Sequence, residues 1–247
     1  MKKLSLILAL MLVLSCALFA ACGGDEESSA ADSSAASSEA ASSDVESSEA
    51  SSEAASSDVE SSEVSDDSSA PALDAGDNIA SGKAYTTSEL FRQDDSWQWN
   101  PDSPIAYPDE DGKSMTDGIL APEGASYDNA AWAGFHSQGP DYLANGYDNI
   151  TVDLGASSDM VKFAVNIATT ATGAGGPQTV EIYVSADGEN WGDAVATITA
   201  LNPADAMTEY LTAELSEAVS GQYVQFRLYT TGYWMHIAEV EVYAPAA

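Results

Sequence analysis

Over its larger, C-terminal part the sequence predicts an all-β domain built as an antiparallel β-sandwich, and three observations lead there. Four segments alternate apolar and polar residues as half-buried strands do: "ITVDLG", "MVKFAVNIAT", "TVEIYVS" and "YVQFRLY". Turn-forming stretches lie between them, namely "GASSD", "TGAGGPQ" and "SADGENW". No segment sustains the 3.6-residue period of an amphipathic helix.

From the N-terminus, residues 1–21 read as a signal peptide, with Lys2 and Lys3 ahead of an apolar run from Leu4 to Ala20. The run ends in "LFAACGG", which resembles the lipobox of bacterial lipoproteins. That resemblance implies lipidation of Cys22 and cleavage just before it; the plainer alternative is an ordinary signal peptide with an incidental cysteine. Cys16 and Cys22 are the only cysteines, so the mature domain can form no internal disulfide. Residues 22–75 are nearly all Ser, Ala, Asp and Glu, and "SEAASSDVESSE" occurs twice, from Ser38 and from Ser52. Such a segment buries too little apolar surface to offset the entropy of ordering, so it is expected to be a disordered acidic Ser/Ala-rich linker. Its end-to-end distance would be about 40 Å as a flexible chain and on the order of 170 Å fully extended. The expected arrangement is a domain held on the extracellular side of a bacterial cell membrane by a lipid anchor, with a Gram-positive envelope the best fit.

The folding unit is then residues 76–247, where 25 acids face Lys83, Arg92, Lys113, Lys162 and Arg227, a net charge of −20. Such a surface repels phosphate backbones and anionic headgroups, which excludes nucleic acid and leaves cations and neutral ligands.

Within it, "MVKFAVNIAT" places Val161, Phe163, Val165 and Ile167 on one side. "TVEIYVS" does the same with Val180, Ile182 and Val184, and "YVQFRLY" with Val224, Phe226 and Leu228. The closing stretch "YWMHIAEVEVY" buries Ala238, Val240 and Val242 on one face, so Glu239 and Glu241 share the other, with Glu241 expected in solvent.

A pyranose offers an apolar C–H face and a rim of hydroxyls, so a sugar site pairs an exposed ring with a few polar groups. The aromatics outside the strand pattern are the candidates: Trp97 and Trp99 in "DDSWQWN", His136 in "WAGFHSQGPDY", and Tyr233 with Trp234. Trp97 and Trp99 share a parity that would suit one platform, and burial under their own loop is the alternative. Catalysis is not expected. The domain has no cysteine nucleophile, G-x-S-x-G, H-E-x-x-H or phosphate loop, and abundant acids make chance carboxylate pairs inevitable.

In order and approximate spacing, "NIASGKAYTTS", "MTDGIL", "AAWAGF", "ITVDLG", "VEIYVSADGENW" and "YVQFRLY" followed by "WMHIAEVEVY" resemble the discoidin, or coagulation factor type C, domain. The resemblance spans Asn78 to Tyr243. It implies a galactose-binding-like jelly-roll β-sandwich, carbohydrate binding in many bacterial members, and a structural calcium. It assigns the calcium to Asp117 of the "DG" turn and Glu239 of the last strand, completed by backbone carbonyls near Ile119 and Ala238. A clasp of that kind would replace the missing disulfide. The resemblance also implies buried Trp132 and Trp191. It offers Arg92 and Asn145, beside His136 and Trp234, as sugar contacts, and it leaves Ser126 and Asp128 as the hydroxyl and acid nearest the third motif. The expected partners are neutral glycans or glycoproteins. The alternative is a non-sugar adhesion or protein-interaction module, favoured if Trp97, Trp99 and Trp234 are all buried.

Overall fold

A computed structural model describes residues 71–247. The expected signal peptide, the lipidation site at Cys22 and the linker up to residue 70 lie outside the described residues. The described chain forms β1 Ala75–Asn78, β2 Ala84–Thr87, β3 Ala133–His136, a short helix α1 Pro140–Asn145, β4 Asp148–Ala168, β5 Thr179–Ser185, β6 Ala196–Thr199, β7 Thr208–Tyr229 and β8 Trp234–Pro245. All strand pairings are antiparallel. Leu73, in the segment the sequence assigns to the linker, donates its N–H to the Leu215 carbonyl at 3.0 Å.

The organising elements are β4 and β7, of 21 and 22 residues. They pair from Asp148↔Leu228 to Ala168↔Thr208, with register slips between Asp153 and Ser158 and between Met160 and Lys162. The expected turn at "GASSD" is therefore corrected. Gly155 takes φ +82°, a left-handed conformation open to glycine at little cost, and lets β4 bend while pairing resumes at Ser158. "ITVDLG" and "MVKFAVNIAT" are two halves of one strand. The second slip also shifts the expected parity: Met160, rather than Val161, joins Phe163, Val165 and Ile167 in the main core.

Bending lets the two long strands serve two layers. The first half of β4 pairs with β2, and β5 and β6 extend the sheet beyond the second half of β7. The second half of β4 pairs with β8, which β1 and β3 flank. Phe163 and Phe226 are not sheet neighbours, yet their rings meet edge to face with centroids 6.5 Å apart, so the two layers close on one core. Ile150, Val152, Val180, Ile182, Val224, Leu228, Met235, Ile237, Val240 and Val242 fill the rest of it.

Candidate functional site: an aromatic end and a carboxylate edge

β3 and β8 pair so that His136 stands opposite Trp234, and the site grows from that pair. His136 stacks on Phe91, centroids 4.1 Å apart and planes 21° apart, and its other neighbour is Tyr233 at 5.7 Å and 22°. Trp234 sets its edge against Phe91, Tyr107 and His136. Trp99 leans on Phe91 at 5.5 Å. Four sequence candidates, Trp99, His136, Tyr233 and Trp234, therefore meet in one cluster whose hub is Phe91, which is fully buried and carries no sequence signal of its role. Tyr107 also belongs to the cluster. Gly134 admits it: a Cβ there would lie 2.7 to 3.0 Å from Tyr107 side-chain carbons, closer than real contacts allow.

The exposures differ. His136 is buried, Trp99 and Trp234 are half-buried, and Tyr233 is 64% exposed. Trp97 is 71% exposed and lies outside the ring cluster. It sits at the tip of a tight loop in which Asp94 Oδ1 accepts from the N–H groups of Ser96 and Gln98, and its φ of +64° is unusual for a bulky side chain. The loop holds the indole out in solvent despite the backbone cost. α1 braces the opposite side. Pro140 starts it and Gly146 ends it in the left-handed conformation, while Tyr142 Oη donates to the Thr230 carbonyl and accepts the Thr230 N–H just ahead of Tyr233. Asn145, on the same helix, is exposed. Arg92 is spoken for: its Nε pairs with Glu89 at 3.2 Å and its Nη1 donates to the Ser103 carbonyl.

The electrostatics at this end come from desolvation. Burial pushes His136 down to about 4, and Gln138 N–H donates to its Nδ1, so the neutral ring carries its proton on Nε2. His236, walled by Trp132, Trp234 and Tyr107, has no partner for either nitrogen and is pushed down to about 3. Asp148, beneath His136 at the start of β4, is buried and pushed up to about 7 by desolvation; the Ser88 hydroxyl and the His136 N–H only partly relieve it, and neither carboxylate oxygen has a well-formed hydrogen bond.

A second feature lies at the Asp117 turn. Glu239 Oε1 accepts the Gly118 N–H at 3.0 Å, and Asp117 Oδ1 accepts the Ile119 N–H at 2.7 Å, so the turn and the last strand meet. Glu239 is fully buried, and its Oε2 has no partner. Desolvation, with the charges of Asp117 and Glu241, pushes it up to about 8. A buried carboxylate oxygen left unpaired beside a second carboxylate suits a hard cation, and the carbonyls near Ile119 and Ala238 belong to the same two segments. Among the described residues no group of three or more His, Cys, Asp or Glu converges on a metal-sized space, so carbonyl oxygens and water would supply most of any shell.

Two assignments are corrected. Glu241 is not in solvent: it is 9% exposed because Tyr210 and Tyr243 direct their hydroxyls onto its Oε2. Trp191 is half-exposed, whereas Trp132 is buried with its Nε1–H donated to the Ser126 carbonyl. The Ser126 hydroxyl donates to Asp128.

The F5/8 type C domain family matches residues 110–240. The chain belongs to the F5/8 type C family. Among curated proteins none matches. Similar solved structures include the F5/8 type C domain of a Bacteroides fragilis protein, 16% identical, covering 71% of this chain and 98% of that one at a TM-score of 0.43. The family 32 carbohydrate-binding module of Clostridium perfringens NanJ, in complex with galactose, is 17% identical, with 69% and 98% covered at 0.42. The Clostridium perfringens module CpGH89CBM32-5, in complex with GalNAc-β-1,3-galactose, is 16% identical, with 66% and 96% covered at 0.41. In this F5/8 type C domain the Asp117 turn, the buried Glu239 and the aromatic end all fall within the matched residues except Phe91, Trp97, Trp99 and Tyr107.

Proposed function

We propose that the aromatic end binds neutral extracellular glycans or glycoproteins, that calcium braces the Asp117 turn against Glu239, and that Cys22 anchors the protein by lipid to the outer side of a Gram-positive membrane. The observation that carries the glycan reading is the stack of solvent-facing Tyr233 on buried, neutral His136, with the Trp97 indole held out beside the loop that supplies Trp99. Tyr233 and Trp97 offer ring surface to the C–H face of a sugar, and His136 Nε2–H supplies a donor for a hydroxyl. The exposure of Trp97 favours this over a non-sugar adhesion module. Both imidazoles are held neutral, and His236 is enclosed by rings with no nucleophile against it, which supports binding rather than catalysis.

In the calcium part, Asp117 and Glu239 would hold the ion with carbonyls near Ile119 and Ala238. The ion would supply positive charge to a carboxylate that otherwise stands unpaired in the interior. Single-site sugar contacts are weak, and many anchored copies together would supply retention.

The test is a glycan array with the full chain and with Trp97→Gly and Tyr233→Ala. Signal from neutral glycans that drops in both variants, while their melting temperatures stay at or above wild type, is the expected result. Binding that persists in both assigns the sugar contact to other residues.

A further inference from the structure

On the face of β5 and β7 directed away from the core, Arg227 stands directly opposite Glu181 in the sheet register. Opposite charges at such positions usually pair, since their Cβ atoms lie only about 5 Å apart. These two do not: among the described residues Arg227 forms no ion pair. Glu181 Oε2 instead accepts the hydroxyls of Tyr183 and Tyr229, each at 2.8 Å. The Arg227 guanidinium lies over the Tyr183 ring at 3.8 Å and the Tyr147 ring at 4.6 Å. Its Nε donates to Gln225 Oε1 at 2.7 Å, and Gln225 is fixed in turn by donating to Thr151 Oγ1 at 3.0 Å.

Every group here is held, and donors and acceptors are left over. Two rings and Gln225 set the guanidinium plane, the Tyr183 hydroxyl is a further acceptor beside it, and among the described residues no carboxylate closes on its Nη atoms. Two tyrosine hydroxyls set the carboxylate, and its Oε1 has no donor. A guanidinium fork kept beside a carboxylate, with both prevented from closing on each other, matches a group that accepts from one and donates to the other. A hydroxyl does both, and neighbouring hydroxyls on a ring do so in the spacing of a planar fork. The Arg227–Glu181 pair is neutral, and the surrounding domain carries −20, so an anion is disfavoured. Fixing the groups beforehand lowers the entropy cost of binding.

We propose that this face, formed by Glu181, Arg227, Tyr183, Tyr229 and Tyr147, is a second binding surface for a neutral saccharide presenting vicinal hydroxyls. It uses none of the residues of the aromatic end and holds whether or not that end binds sugar. With both surfaces active, one domain engages two glycans or two points of one glycan, and its retention rises with their effective concentration.

The chain has only two arginines, Arg92 and Arg227, so arginine-labelled full chain gives two Nε–H resonances, and Arg92→Lys assigns them. The probes are methyl β-galactopyranoside and methyl α-mannopyranoside, with glucuronate as the anionic comparison. The expected result is a saturable shift of the Arg227 resonance with at least one neutral glycoside and none at Arg92. The shift persists in the Trp97→Gly, Tyr233→Ala double variant, and the apparent affinity is about tenfold weaker in Glu181→Gln at an unchanged melting temperature. An Arg227 resonance indifferent to both glycosides, one that moves only with glucuronate, or one silenced by the double variant overturns the proposal. Array binding that falls in the double variant with the Arg227 shift intact is the outcome both readings expect. Array binding undiminished in the variants while the Arg227 shift is present sinks the aromatic-end reading alone.

Discussion

The two aromatic regions of this domain solve the same problem in opposite ways. At the loop end, rings lean on rings: Phe91, His136, Tyr233 and Trp234 exclude water, and the polar groups among them are left poorly paired. On the β5–β7 face, rings lean on a guanidinium, and their hydroxyls satisfy a carboxylate. Desolvation shifts protonation at the first region, while hydrogen bonding fixes geometry at the second. The same contrast in pairing separates two glutamates on one strand. Glu239 has an orphan oxygen and is pushed up to about 8 by burial, whereas Glu241, nearly as buried, receives two tyrosine hydroxyls on its Oε2. A buried carboxylate oxygen costs most where no donor reaches it.

The largest effect that would sharpen this contrast is at Asp148. Its folded value of about 7 stands above the ordinary 3.8, so the folded state holds the proton more tightly than the unfolded one. Stability from this group is therefore full below about pH 4 and falls as pH rises to about 7, by about 4 kcal/mol in all. His136 and His236 act in the other direction, because their lowered values cost stability as pH drops below 6.5. The difference between wild type and Asp148→Asn in denaturant melts isolates the aspartate. A difference that does not vary between pH 4 and 7 would mean Asp148 is better paired than its position indicates.

Next is Gly134→Ala, whose added carbon must displace Tyr107 and loosen the ring cluster. Urea melts should show a loss of about 3 kcal/mol, with weakened glycan signal. No loss would show that the cluster tolerates repacking. Calcium follows: a concentration a hundredfold above its dissociation constant should add about 2.7 kcal/mol to wild type and little to Glu239→Gln, read by calorimetric melting. An equal rise in both would move the ion away from Glu239. Trp97→Gly should gain about 1 kcal/mol by relieving φ +64° while losing sugar signal, a combination that separates function from folding. The smallest effect is expected from Tyr229→Phe, about 0.5 kcal/mol, because Tyr183 still reaches Glu181.

Much of the fold was readable from local pattern. β5 coincides with "TVEIYVS", and Val180 and Ile182 point where alternation puts them, because a strand buried on one face must repeat every second residue. The same rule does not reach across Gly155, where one glycine followed by small, mostly polar residues suits a turn and a bend in a continuing strand equally well. The first half of β7 carries a weaker pattern: Leu211, Ala213 and Leu215 are only partly buried against the core. Within the site, His136, Tyr233 and Trp234 were visible as aromatics off the strand pattern. Phe91 and Tyr107 were not, since only the fold of the long loop between β2 and β3 carries them to β8.

By itself the sequence determined an acidic, disulfide-free β domain and the residue types a sugar or a cation would need, because composition and two-residue periodicity are local properties of the chain. The tertiary structure decided which of those residues meet: that Glu239 faces the Asp117 turn while Glu241 is claimed by Tyr210, and that Arg227 is clamped by tyrosines instead of its opposite carboxylate. Those outcomes depend on register and on contacts between residues distant in sequence, and no local pattern encodes a partner from another strand.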